Sequence, residues 1–489
     1  MNESTTAGRR ALVLAICCAS MIIVVMDMSI VNVALPAIRR ELHPQVSGLQ
    51  WTLDAYTLVL ASFLVLAGST ADRLGRRRIF QVGLTVFALG SLLCGLAPSI
   101  GALIAARAVQ ALGGTMLNPV AMAIVANVYP QPRERARAIG VFGAMSGLAL
   151  ALGPILGGAL VDSIGWRSIF LVNVPIAAAA AVCAALFVPE SRAERPRRVD
   201  PVGQVLVIVL LAGVVAAVIE SRRLGWGSPV ILGLLAAAAL ALLGLLGYEP
   251  RRADPLLDLR LFRSVPFAAA IGVAVFGLCA FGAFLFVITQ YLQDVRGLPA
   301  FAAGLCLLPV GVLTVVLSPI TGWYVGTRGP RLPMLVSGAA LALAGLAATL
   351  LGTATAMPAV LAVFVLVGIF SGALNPPITN TAVAGMPRSM AGVASSVVST
   401  GRQIGVTVGI AVSGALVGSS LSHGPAAYVA AGRQVWWLLA VLGVGIVGLA
   451  VVGNGRWAAG TARRAATLIA ELDRPVPDRS DAPLARVTR

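Results

Sequence analysis

The chain has 489 residues, of which 58% are hydrophobic and only 11% charged. Soluble domains carry nearer ~25% charged residues, so the composition excludes a disordered chain and argues against ordinary soluble domains. All 36 basic residues are Arg against 19 acids, a formal net charge of +17, yet they punctuate long apolar stretches instead of gathering on a wetted face as nucleic-acid binding requires. The chain reads as an all-α integral membrane protein with no nucleic-acid partner.

Residues 1–10 form a short, weakly basic N-terminus. The apolar segment after them is too long for a removed signal peptide and is expected to stay as a helix. At about 20 apolar residues per crossing, fourteen spans are predicted, near 11–32, 50–70, 79–97, 101–127, 139–161, 169–188, 203–220, 230–248, 266–291, 301–325, 332–352, 358–380, 391–418 and 435–453. With the N-terminus inside, inner segments hold 27 Arg and outer loops seven, and two more, Arg107 and Arg402, fall within spans. That asymmetry predicts that both termini are cytoplasmic in a plasma (inner) membrane. The tail after Gly460, with Asp473, Pro475 and Pro477, is expected to be partly helical and then disordered.

The chain also repeats itself. Leu117-Asn118-Pro119 returns as Leu374-Asn375-Pro376, Pro132-Arg133-x-x-Ala136 as Pro387-Arg388-x-x-Ala391, and Gly158-Ala159-Leu160 as Gly414-Ala415-Leu416, at nearly one offset. The repeat predicts an N-terminal six-helix half over 11–188, a linker with two inserted helices over 189–265, a second six-helix half over 266–453 and a cytoplasmic tail from 454. Two such halves suit a rocking transporter whose site lies between them near mid-membrane.

Charges inside spans need a reason, because each costs roughly 2.5–3.5 kcal/mol on insertion scales. Asp27 lies roughly 24 Å into the first span, and Asp54 and Arg107 enter the second and fourth from the outer side to roughly 6 and 9 Å. Three opposite-signed groups at one depth in one half make a candidate proton-coupling site; a structural ion pair is the alternative. Arg402 lies roughly 16 Å deep, and no acid occurs between Asp294 and Glu471. It either meets substrate in a cavity, for which Gln110 and Gln403 are further candidates, or ties helices through backbone carbonyls. Glu220, followed by Arg222 and Arg223, reads as an exposed charge on an accessory helix.

Six cysteines, all within apolar stretches and without metal-ligand spacing, point to neither redox nor metal chemistry. Only His43 and His423 are present, and without Lys no phosphate-binding loop is possible, so neither an enzyme nor ATP drive is expected.

Gly68-x-x-x-Asp72-Arg73-x-Gly75-Arg76-Arg77-Arg78 joins the second and third spans. Gly68 permits close helix approach, Gly75 a tight turn, and the Asp72, Arg73 and Arg76 charges can latch a neighbouring helix end. The stretch closely resembles the loop motif of the major facilitator superfamily. A second copy around Gly322, Gly326, Arg328 and Arg331 lacks the acid. Arg107-x-x-Gln110-Ala111-x-Gly113 is similar to that family's fourth-helix segment, with Ala111 in place of a Gly; in the family this Arg is implicated in proton transfer. Gly147 followed by Gly153-Pro154-x-x-Gly157-Gly158 resembles the fifth-helix motif of proton-exchanging exporters, where small residues and a proline set close packing and a bend.

Asp27-x-x-x-x-Asn32-x-x-x-Pro36, Trp166-x-x-x-x-x-x-Asn173-x-Pro175, Pro255-Leu256-Leu257-Asp258-x-x-x-Phe262 and Gln290-Tyr291-Leu292-Gln293 resemble the fourteen-helix drug:proton antiporters of the EmrB/QacA type. The resemblance implies export of hydrophobic or cationic compounds against proton entry, with Asp27 binding the proton, Arg107 tuning it and Asp54 assisting. The expected partners are a small-molecule substrate, protons and membrane lipid, with no cofactor and a monomeric chain. A proton-coupled uptake permease and a non-transporting membrane binding or sensor protein are the other readings.

Overall fold

The computed structural model describes residues 3–192, 200–252, 259–383 and 391–472. Among these residues thirteen helices are long and apolar enough to cross a membrane. In chain order the first six are α1 (Glu3–Leu42), α2 (Val46–Leu74), α3 (Arg76–Gly95), α4 (Ile100–Val128), α5 (Pro132–Ser163) and α6 (Ser168–Phe187). Two more follow, α7 (Pro201–Leu224) and α8 (Pro229–Tyr248). The rest are α9 (Val265–Gln290), α10 (Ala300–Arg328, with a break at Leu307), α11 (Arg331–Ala348), α12 (Met357–Val383), α13 (Ala391–Val417) and α14 (Pro425–Gly453). The expected span over 391–418 is α13, 27 residues long; its Ser and Thr residues, Arg402 and Gln403 make it less apolar than the other thirteen. A lipid-embedded backbone must satisfy its own polar groups, which is why the spans are helical almost throughout. Proline opens α5, α7, α8 and α14, and positive-φ glycines such as Gly75 and Gly329 reverse the chain between helices.

Packing repeats with the sequence. In the first half α1 packs on α5, α2 on α4, α3 on α4 and α3 on α6; in the second, α9 packs on α13, α10 on α12, α11 on α12 and α11 on α14. Two main crossings join the halves, α5 against α10 and α2 against α13, with α1 also touching α9 and α10; α7 lies against both α2 and α13 with α8 outside it. The repeat Pro387-Arg388 lies outside the described residues, as do 255–258 of the third resembling segment and the tail from 473.

One boundary and one charge depart from the sequence reading. Helix α1 runs ten residues beyond the expected end at 32, straight through Pro36. Its extension is held by burial of Leu35 and Ile38 and carries Arg39 to Asp294, 2.7 Å away in the second half. Glu220, expected to be an exposed charge, accepts a hydrogen bond from Trp51 Nε1 (3.0 Å) and pairs with Arg223 (3.3 Å), tying α7 to α2. After α14 the chain turns into a further helix, α15 (Arg456–Leu472), whose Ala458, Ala462 and Ala465 are buried and whose Thr461 Oγ1 accepts the Val265 N–H at the start of α9.

The side where α1 begins is the near face, and the side where it ends is the far face. Polar contacts between the halves gather on the far face. Besides Arg39–Asp294, Gln50 Nε2 donates to the Ala411 carbonyl (2.9 Å), Gln293 Nε2 to the Val33 carbonyl (2.9 Å), and the hydroxyls of Thr57 and Thr407 lie 2.8 Å apart. Asp162, at the end of α5, accepts the N–H groups of Ala300 (3.2 Å) and Phe301 (2.8 Å), capping α10 from the other half. These contacts close the far face. Asp162→Ala should cost about 0.5–2 kcal/mol, the value of a helix cap, and should weaken this closure. Faster labelling of a Thr407→Cys thiol by a membrane-impermeant maleimide from the far face checks this.

Candidate functional site

Asp27 stands two-thirds of the way along α1 with no exposed surface. It faces a pocket made wholly by its own half. One carboxylate oxygen is held by Arg107 Nη1 of α4 in an ion pair. The other accepts from Gln110 Nε2 (2.9 Å), one turn further along α4, and from Asn173 Nδ2 of α6 (3.2 Å). Gln110 returns its carbonyl to Arg107 Nη1 (2.7 Å) and donates to Ser91 Oγ of α3 (2.6 Å). Arg107 Nε is spent on the Thr52 carbonyl (3.1 Å), and its guanidinium stacks 4.1 Å from the Tyr56 ring centre and 5.6 Å from that of Phe170. Five of the six helices of the first half therefore converge on this ion pair through side chains, and α5 reaches it indirectly.

This arrangement follows from helical spacing. Arg107 and Gln110 are three apart and so share a face. Both rings that cover Arg107 are large apolar bodies that shut out water, and an aromatic face attracts a cation. Three donors and no acceptor surround the carboxylate, which is the environment of an anion. Removing either charge alone would leave the other buried without a partner, at about 3–5 kcal/mol.

The other expected members are placed differently. Asp54 is fully buried but makes no ion pair with Arg107; one oxygen lies 3.5 Å from Thr57 Oγ1 and the other has no partner among the described residues. Sequence reading put Asp54 nearest water, yet α13 covers this stretch of α2, bringing Thr407 onto Thr57. Gln110, expected on a cavity wall, is instead a buried member of the ion-pair network. Arg402 and Gln403 lie half-buried on α13; Arg402 Nη2 donates to Thr379 Oγ1 of α12 (2.9 Å).

On the near face Asp72 binds Arg76 of its own loop (2.8 Å), and the Gly75 turn sits against Glu190, which also lies near Arg77 (4.0 Å) and Arg78 (3.7 Å). The backbone N–H of Arg77 donates to the same carboxylate (3.1 Å). The loop is thus fastened to the end of α6 in its own half, and a Cβ added at Gly68 would lie 3.9 Å from Pro119 of α4. The contact with the end of α6 is made by Arg77 and Arg78 through Glu190. The side chains expected to latch a neighbouring helix end, Asp72, Arg73 and Arg76, do not reach one among the described residues: Asp72 and Arg76 pair within the loop and Arg73 is exposed. Sequence reading had missed Glu190 because it stands in a linker far from the motif.

The small residues of α5 face two ways. Gly153 and Gly157 sit against Ser29, Met26 and Ile30 of α1, within a turn of Asp27. A Cβ at Gly147 would lie 3.3 Å from Val315 of α10, and Gly158 abuts the backbone of Ala300 and Phe301, while Gly304 of α10 abuts the carbonyl of Pro154. Helix α5 therefore links the helix that carries the buried acid to the opposite half. Asn173, Ser91, Tyr56 and Asp162 complete the arrangement and were not singled out from sequence. For Asn173 the signal was its place in Trp166-x-x-x-x-x-x-Asn173-x-Pro175, whose Trp166 Nε1 binds Glu41 at 2.7 Å.

Residues 17–410 match the family model described as Major Facilitator Superfamily. The chain belongs to the major facilitator superfamily. Its likeness to characterised members is broad. It is 39% identical over 81% of its length, and 74% of the other chain, to the multidrug resistance protein Stp of Mycobacterium tuberculosis. It is 35% identical to the methylenomycin A resistance protein of Streptomyces coelicolor, covering 85% of this chain and 89% of that one. It is 33% identical to the multidrug efflux pump LfrA of Mycolicibacterium smegmatis, over 85% and 82%. A major facilitator protein with efflux-pump relatives is a multi-pass membrane transporter of small molecules and not an enzyme.

Proposed function

We propose that this major facilitator protein exports hydrophobic, drug-like compounds across the plasma membrane in exchange for protons, with both termini cytoplasmic and the chain acting as a monomer in lipid. The single observation that carries the coupling is the Asp27–Arg107 ion pair, sealed in the first half, with α5 packed on the turns of α1 that flank Asp27. In the far-closed state the carboxylate is ionised and locked by three donors. When the halves part on the far, extracellular side, water reaches the pair and Asp27 takes a proton. Neutral Asp27 loosens its hold on Arg107, and the resulting shift of α1 is passed through Gly153 and Gly157 to α5 and its crossing with α10. Proton release toward the cytoplasm restores the ion pair. Asp54 assists as a second acid in the seam between α2 and α13, coupled to the opposite half through Thr57 and Thr407.

Inward proton movement adds about 2.3 kcal/mol per charge per 100 mV, so one proton per cycle can drive substrate uphill. Inverted membrane vesicles containing the protein are expected to accumulate ethidium or fluorescein when the lumen is made acidic, and to lose the gain on adding a protonophore. An uptake permease would empty such vesicles under the same gradient, and a binding or sensor protein would show no flux.

A further inference from the structure

We propose that Arg402 is the anchor for an acidic group on the transported molecule, so that the substrates include hydrophobic compounds bearing a carboxylate or phenolate. The inference deepens the exporter reading and rests on it for the location of the substrate path.

Arg402 lies eleven residues into α13, near the middle of the span, and its side chain is half-buried. Helical side chains lean toward their helix N-terminus, so the guanidinium hangs toward the near face, where Nη2 finds Thr379 Oγ1 at 2.9 Å. Its Nε is buried and has no partner among the described residues, and neither has the side-chain carbonyl of Gln403 beside it. One turn further along α13, Thr407 touches Thr57 across the seam between the halves, so Gln403 and Arg402 stand at the edge of that seam.

Among the described residues no acid pairs with this cation, and the aspartates of the spans are engaged elsewhere. Asp27 is held by Arg107, Gln110 and Asn173, Asp72 by Arg76, Asp294 by Arg39 on the far face, and Asp162 by the α10 backbone. Asp54 is enclosed beyond Thr57, toward the far face. A helix tie through backbone carbonyls, the other reading of this residue, is not what the geometry shows: the bond made is to a threonine hydroxyl, and donors remain unspent. A guanidinium kept at mid-membrane depth without an anion is costly unless a ligand supplies one. With five N–H donors in a planar fork, it suits a carboxylate or phenolate oxygen.

The test is equilibrium binding to the full-length protein in detergent, followed by fluorescence polarisation, with two dyes of one xanthene scaffold: anionic fluorescein and cationic rhodamine 123. Arg402→Gln should weaken fluorescein binding by at least about ten-fold, equal to 1.4 kcal/mol, without weakening rhodamine 123. Arg402→Lys, which keeps the charge, should recover most of the loss. Unchanged rhodamine binding and a single gel-filtration peak show that the variant is folded. Fluorescein bound equally by wild type and Arg402→Gln overturns the proposal, as does no fluorescein binding by the wild type. Competition by phosphatidylglycerol that disappears in Arg402→Gln would make a lipid phosphate the occupant and equally overturn it. No gradient is applied, so a failure of proton coupling in vesicles leaves this result standing.

Discussion

Asp27→Asn is expected to reduce pH-driven substrate accumulation in inverted vesicles by at least about a hundred-fold, the scale of losing a positioned proton carrier. The substitution preserves size but removes the titratable group, and it changes the charge balance of a dry pocket. Arg107, Gln110 and Asn173 would all point N–H groups at an amide that offers one carbonyl. The stranded guanidinium should lower stability by about 3–5 kcal/mol, seen as an earlier unfolding transition. Lost transport alone would therefore not separate a proton carrier from a structural ion pair.

The double variant Asp27→Asn with Arg107→Gln makes that separation. Replacing both charges by neutral groups of similar shape removes the unpaired cation, so most of the lost stability should return. Transport should not. Recovery of gradient-driven flux in the double variant would show that the pair only holds α1 to α4 and that protons travel elsewhere, with Asp54 the next group to test.

The ion pair was legible in the sequence because charges in apolar spans are rare enough to stand out one by one. Asp27 and Arg107 could be matched by depth alone, and the structure joins them. Their neutral partners could not be found that way. Asn173 and Ser91 look like many other polar residues on helices rich in small residues, and only the packing of α3 and α6 shows which face they occupy. Depth also misled. Asp54 lies near the far end of α2, where a sequence reading expects water, and is instead roofed by α13 from the other half. The repeat predicted which helices correspond, because matching short segments at a nearly constant offset record a duplicated packing unit. Contacts between the halves leave no such trace: Arg39 and Asp294, or Asp162 and the start of α10, are ordinary charges at helix ends until the fold brings them together. The glycines of α5 lie between these cases. Their pattern marked a closely packed helix, but not that Gly153 and Gly157 serve α1 while Gly158 serves α10.

That division predicts the second large effect. Gly158→Val should nearly abolish transport by holding the far face open. A Cβ at this position would run into the Ala300 carbonyl and Phe301 Cα, which are backbone atoms at the start of a helix and cannot swing aside as a flexible side chain could. Overpacking of this kind costs about 1–3 kcal/mol, and the cost falls on the far-closed state, in which α5 and α10 touch. Two kcal/mol would shift the balance between far-closed and far-open forms about 30-fold. A Thr407→Cys thiol in a chain stripped of its six native cysteines should then react with a membrane-impermeant maleimide from the far side, whereas in the Gly158 parent it stays protected. Gly140→Val, on the near part of the same helix, is the control: nothing lies within 4 Å of its Cβ position, so labelling should match the parent. Equal protection in Gly158→Val and the parent would mean that the α5–α10 crossing does not govern closure, and the route from Asp27 through α5 to the second half would have to be abandoned.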